Sequence, residues 1–259
     1  MTHSERVVPA LTAVVALLYI GVLPVAGQTR DSKPAGGKPD LSGVWQALNT
    51  ASFDIQDHTG QLGMPPGLGV VEGGEIPYLP AAAATKKDNF AHRAAADPTE
   101  AHCYLPGVPR ATYMPFPFEI VQTPNQVAIA YEFAHALRSI PLDGSPHPDG
   151  LPDAWMGDSR GHWEGNTLVV DVNSFNDRTW FDHAGDFHSD ALHVVERYTL
   201  SDADHIQYEA TIEDPKTFTR PWKISMPLYR HMEKNPRLLE YECVFYLQEQ
   251  QFRDAPFHK

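Results

Sequence analysis

From residue 116 onward the chain alternates apolar and polar residues in short runs separated by turn formers. "FEIVQ" and "VAIAYEF" flank the turn "TPNQ", and in the second run Val127, Ile129, Tyr131 and Phe133 fall on one face. "HALRSIPL" follows, then the turn "DGSPHPDG". "HWEGNTLVVDV" places a Glu-Gly-Asn turn before a strand, and "ALHVVERYTL" and "HIQYEATIE" flank the turn "SDAD". "PWKISMPLY" and "LLEYECVFYL" complete the series. A period of two with short turns between runs predicts roughly eight to ten antiparallel strands. No helical period alternates with them, so a parallel α/β sheet is not supported. The fold class is all-β, an antiparallel meander closed as a barrel or folded as a sandwich.

Ahead of this region stands "LSGVWQAL", a strand carrying Trp45. Its Gly-Val-Trp resembles the Gly-x-Trp start of lipocalin-like barrels, where the indole plugs one end, and the resemblance implies closure into a barrel. Between about residues 50 and 115 the chain is rich in Gly, Pro and Ala ("GMPPGLGVVEGGEIPYLP"), with one short helix predicted around 80–94. So long a loop-rich insertion in a compact domain covers something or carries function, including docking of a partner.

The N-terminus changes the picture of where the protein resides. "MTHSER" precedes an apolar run from Val7 to Ala26 that ends in small residues, the pattern of a secretory signal peptide over 1–26. The run is nearly long enough for a membrane anchor, but Pro9, Gly21 and Pro24 interrupt it. Residues 27–39 read as a disordered tether, and 40–259 as a single domain. A periplasmic or secreted protein is expected, without stable membrane insertion after cleavage. The net charge is -13 and no basic stripe occurs, which argues against a nucleic-acid partner. In an exported chain the two cysteines, Cys103 and Cys243, predict a disulfide; the competing use is a reactive or metal-binding thiol.

Candidate chemistry concentrates in "WFDHAGDFHSDALHVVER", residues 180–197, with three histidines, four acids and an arginine. His183, His188 and His193 stand five apart, so neither a strand nor a helix turns them to one side. No metal site and no cofactor are therefore expected, although a loop could gather His183 and His188 with Asp182, Asp186 or Asp190. Acid–base chemistry fits better, with His188 as the proton-transfer group and Asp190 orienting it. On the following strand Leu192, Val194, Glu196 and Tyr198 share a face; if it is interior, Glu196 needs a partner, and Arg138 is the candidate. The competing reading is a purely structural Arg–Glu pair. His135, Asp158 and Asp182 are further candidates. Tyr131, Trp163, Trp180, Tyr198 and Tyr208 are the predicted ligand-lining aromatics. "GDSRG" lacks the Gly-x-Ser-x-Gly spacing of a serine hydrolase.

"MPFPFEIVQTP", "GDSRGHWEG", "TLVVD" and "FHSDALHVVER" together resemble a widespread family of exported bacterial proteins, over most of residues 40–245. The resemblance implies export and a single domain, and supplies no mechanism. The functional expectation is an exported enzyme performing cofactor-free isomerase, lyase or hydrolase chemistry on a small, largely apolar substrate. The alternative is a non-catalytic carrier with the same barrel.

Overall fold

The structure, a computed structural model, describes residues 37–243. The predicted signal peptide, most of the tether and the end of the last predicted strand lie outside the described residues.

Among the described residues nine strands form: β1 (Gly43–Ala47), β2 (Phe118–Gln122), β3 (Gln126–Tyr131), β4 (Leu137–Pro141), β5 (Asp158–Glu164), β6 (Thr167–Asn173), β7 (His193–Leu200), β8 (His205–Glu213) and β9 (Trp222–Arg230). All pair antiparallel in one sheet of order β4-β3-β2-β1-β9-β8-β7-β6-β5. β1 is short, yet it lies between β2 and β9, with Trp45 opposite both Phe118 and Arg230. This double pairing joins the N- and C-terminal halves of the meander and curls the sheet nearly into a barrel.

The two ends of the sheet, β4 and β5, meet through side chains instead of a backbone ladder. Arg138 Nε on β4 donates to Ser159 Oγ on β5 at 2.8 Å. A Cβ at Gly161 would approach Ile140 and Leu142 to within 2.7 Å, so glycine is what lets the seam close.

Alternation sets the barrel interior. Val127, Ile129 and Tyr131 on β3, Val194, Glu196 and Tyr198 on β7, and Ile206, Tyr208, Ala210 and Ile212 on β8 are all buried. Trp45 is fully buried, donates from Nε1 to the Leu41 carbonyl at 2.8 Å, and carries the Arg230 guanidinium over its ring. The indole expected near one end of the barrel is thus part of the core.

The insertion contributes α1 (Pro80–Ala96) and α2 (Arg110–Tyr113). Only Ala82 of α1 is buried, so tertiary contacts hold this helix more than its own apolar face does. One such contact is Asn89 Nδ2 donating to the Gly185 carbonyl at 3.1 Å. Gly185 has φ 87° and a Cβ there would fall 2.6 Å from Asn89 Cβ, which rules out any larger residue. α2 is buried at all four positions.

Three local expectations are corrected. Phe133 and His135 leave the β3 face in a 3-10 turn, where Ala134 and His135 adopt positive φ, so His135 is exposed and pairs with Glu242. Residues 238–243 do not extend as a strand: both edges of β9 are already occupied, and Leu239 N is held by Glu132 Oε2. The disulfide Cys103–Cys243 forms, but it ties the insertion to this irregular segment and not to a last strand.

Candidate functional site

Two polar centres stand out, one inside the barrel and one where the insertion meets the segment 180–190. Inside, Arg138 Nη2 pairs with Glu196 Oε2, and both residues are buried. Tyr198 and Tyr208 donate to Glu196 Oε1 at 2.9 and 2.8 Å. These two tyrosines are direct cross-strand neighbours, which explains why both hydroxyls reach one carboxylate. Burial opposes the charge of Arg138, but Glu196 more than compensates and holds the guanidinium protonated. Arg138 Nη1, Tyr131 Oη and Thr112 Oγ1 are buried here outside good hydrogen-bond geometry, with Arg138 and Thr112 both facing the Tyr131 hydroxyl. The interior thus unites Arg138, Glu196, Tyr131, Tyr198 and Tyr208 as the alternation predicts.

The segment 180–190 spreads its side chains in several directions, because it is a loop with no regular period. Asp182 points inward and accepts from Ile55 N (2.9 Å) and Asp186 N (3.0 Å). Asp186 accepts from the Tyr78 hydroxyl at 2.7 Å, and Lys86 Nζ of α1 lies 3.5 Å from its other oxygen. Burial, together with Asp186 and Asp54, pushes the Asp182 carboxyl well above the ordinary range. The loop is therefore the part onto which α1, Tyr78 and residues 52–55 are latched.

His188 belongs to this latch. It is buried, Nε2 meets Thr179 Oγ1 at 2.5 Å, and Nδ1 meets the Ser189 carbonyl at 2.9 Å. A carbonyl only accepts, so Nδ1 carries the proton and Nε2 accepts from Thr179. Burial lowers its pKa and keeps the ring neutral. Asp190 does not orient it; that carboxylate is exposed and bound by Lys216 at 2.6 Å. The carboxylate that anchors this turn is instead Asp214, which accepts from Ser189 N and Oγ and from Thr217 Oγ1. The expected His188–Asp190 pair is thus corrected: adjacency in sequence did not bring the two rims of the turn together.

A histidine–aspartate pair does exist two turns of chain earlier. His183 Nδ1 lies 3.0 Å from Asp97 Oδ2 and 3.2 Å from Glu100 Oε2. Asp97 is fully buried and receives both nitrogens of the Arg110 fork, at 2.9 and 2.8 Å, plus the backbone N–H groups of Thr99 and Glu100. Burial alone would raise the Asp97 carboxyl, but Arg110 and His183 hold it well below the ordinary carboxylate range. It stays ionised at any working pH. Both partners of Nδ1 are acceptors, so the proton sits there and the Nε2 lone pair is left free. Among the described residues Nε2 bonds no protein group, and the His183 side chain retains 16% exposure.

The same carboxylates raise the question of a metal. Asp97, Glu100 and His183 form one group with donor atoms within 4.8 Å of one another, and Asp54, Asp182 and Asp186 another. In the first, Asp97 is saturated by Arg110, His183 and backbone N–H groups. In the second, Asp182 is taken by two backbone donors and Asp186 by Tyr78 and Lys86. Asp186 Oδ2, however, has no hydrogen-bond partner, only Lys86 Nζ at 3.5 Å.

The other predicted residues lie apart from both centres. Asp158 is on the outer face of the barrel, held by Arg160 and by His147 Nδ1 at 2.6 Å; His147 Nε2 meets Asp171 at 2.8 Å, and Asp171 also meets His193. Trp163 is half-buried at the end of β5. Trp180 is buried in the loop against Phe187 and lines no barrel strand. A shallow surface cavity of about 260 Å³ lies between the ends of β1 and β9, lined by Gln46, Leu48, Tyr229, Arg230, His231, Met232 and Glu233. None of the residues singled out from the sequence reaches it.

Sequence reasoning missed Asp97, Arg110 and His147. "DPTE" at 97–100 is legible as an Asx turn, since Asp before Pro caps the following N–H groups. Its partner, however, lies 86 residues away. Compared with known proteins, the chain matches no family model, no curated protein and no solved structure. Among the described residues no helix is long and apolar enough to cross a membrane.

Proposed function

We propose that the protein is an exported enzyme carrying out cofactor-free acid–base chemistry on a small molecule at His183. The observation that carries this reading is the Asp97–His183 pair, a solvent-reachable Nε2 whose tautomer is set by a buried, permanently ionised carboxylate. That is the arrangement a general base requires: geometry first, then an orienting group behind it. The disulfide supports folding in an oxidising compartment.

Carbethoxylation by diethyl pyrocarbonate, mapped by peptide mass spectrometry, tests the reading. His183 is expected to be labelled in the folded protein, while His188, with both nitrogens engaged, stays unlabelled until unfolding. Asp97→Asn should slow labelling of His183 and leave that of His205 unchanged. An unreactive His183 in the folded protein would sink the proposal.

A binding role for the barrel is the second reading, favoured by the three polar atoms around Arg138 that lie outside good hydrogen-bond geometry. If a ligand holds them, Thr112→Val lowers the melting temperature of natively purified protein. If nothing does, removing an unsatisfied buried hydroxyl relieves about 1–3 kcal/mol and raises it.

A further inference from the structure

The loop 180–190 contains a buried oxygen that the contacts around it leave unsatisfied. Asp186 is fully buried; its Oδ1 accepts from the Tyr78 hydroxyl at 2.7 Å, while Oδ2 has no hydrogen-bond donor. Lys86 Nζ stands 3.5 Å from that oxygen, too far for a good bond. The other polar neighbours are carboxyls. Asp54, Asp182 and Asp186 each bring an oxygen within 4.8 Å of the other two, and Asp182 and Asp186 are in hydrogen-bonding contact. Two carboxyls bond to one another only when one of them carries a proton.

We propose that Asp182 carries this proton and donates it to Asp186, forming a lock that holds α1 and residues 52–55 on the loop and that opens as the pH rises. The surroundings favour the proton there: burial, then Asp186 and Asp54, stabilise the uncharged form of Asp182. Burial pushes Asp54 in the same direction. Among the described residues the cationic or titratable groups facing this triad are Lys86 from α1, Arg110 from α2, and His58 beside Asp54. Arg110 is committed to Asp97 through both ends of its fork. Tyr78 and Tyr113 also face the triad, and burial keeps both phenols neutral. One lysine therefore stands close against three carboxyls, and a shared proton is what limits their mutual repulsion.

Loss of the proton removes a donor from Asp186 and sets like charges together where Ile55 N, Tyr78 and Lys86 converge. α1 has little else to hold it, since only Ala82 of the helix is buried. A carboxyl whose folded pKa lies above its unfolded value, about 4, contributes stability that is complete at lower pH and is lost as the pH rises through the folded value. His183 follows Asp182 directly, and its backbone N–H donates to the Ser52 carbonyl of the latched segment at 2.9 Å. Opening of the lock thus reaches the surroundings of that imidazole, and it does so whether or not the imidazole is catalytic.

The test compares the full chain with Asp182→Asn, whose amide can donate to Asp186 but does not titrate. Melting temperatures are measured from pH 5 to pH 9. Trypsin cleavage after Lys87, an exposed residue of α1, is followed from pH 7 to pH 9 by mass spectrometry and normalised to a small peptide substrate. Over its range the unsubstituted protein should lose about 5 °C more than Asp182→Asn. Cleavage after Lys87 should rise about fivefold in the unsubstituted protein and stay nearly constant in the variant, because a protease reaches a helix only through local opening. Equal pH slopes in the two proteins overturn the lock. A difference in melting temperature without one at Lys87 overturns it too, since the proton would then support the whole fold and not the attachment of α1. Lys86→Met, which keeps both carboxyls of the lock, gives an independent reading should Asp182→Asn fail to fold. With the facing cation gone, the pH at which Lys87 becomes cleavable should move upward, and an unmoved or lower value overturns the proposal.

Discussion

Arg138→Met is expected to cost about 3–5 kcal/mol of folding stability, because it leaves the Glu196 carboxylate buried without its cation. Arg138 and Glu196 are 3% and 0% exposed, so water cannot take over the lost interaction. Two tyrosine hydroxyls would still reach Glu196, but they cannot neutralise it. The loss is read as a shift of the urea midpoint at unchanged slope. The double variant Arg138→Met/Glu196→Gln should recover most of it, since neither charge then remains in the interior while the amide still accepts from a tyrosine. A single-variant loss below about 1 kcal/mol would mean that solvent reaches the pair. Arg138 also bridges the β4–β5 seam through Ser159, so Ser159→Ala offers a milder comparison that keeps the ion pair intact.

Removing the disulfide by Cys103→Ser/Cys243→Ser is expected to cost about 5 kcal/mol in the chain-entropy model, given the large loop it closes. The cysteines are 140 residues apart, and between them runs most of the barrel. Around the bridge, Phe116, Phe133 and Tyr241 form an aromatic cluster with ring centroids 4.4–5.6 Å apart. That cluster keeps part of the contact when the bond is gone, so the segment near residue 241 should loosen before the sheet does. Hydrogen exchange resolves the two: early exchange confined to that segment supports a local staple, whereas uniform loss across β1–β9 places the bridge in the global folding unit. A thermal midpoint unmoved by the double variant would refute the entropic account.

The sheet was legible because each strand buries one face. Period two in "VAIAY", "HVVERYT" and "HIQYEATIE" puts Tyr131, Glu196, Tyr198 and Tyr208 on interior positions without knowledge of their neighbours. Once Glu196 is interior, the need of a buried carboxylate for a cation selects an arginine on another interior face, and Arg138 is there. The loop 180–190 offered no such constraint. Without a period, sequence spacing says nothing about direction: Asp190 stands two residues from His188, whereas packing turns His188 to Thr179 and Asp190 to Lys216. The predicted final strand failed for a different reason. "LLEYEC" has strand-like composition, but β9 already pairs on both edges, and the availability of an edge is a property of the whole sheet.

What the sequence by itself determined about this protein is therefore what depends on near neighbours: strand alternation, turns, the short helix, the acidic charge and the presence of two cysteines. What only the tertiary structure decided is which polar groups meet across long separations. Asp97 is a turn residue until Arg110 and His183 fold against it, and His183 is one histidine of three until a buried carboxylate fixes its proton. Period follows from the geometry of a single strand, but a hydrogen-bond partner follows from the closure of loops whose ends the local pattern does not specify.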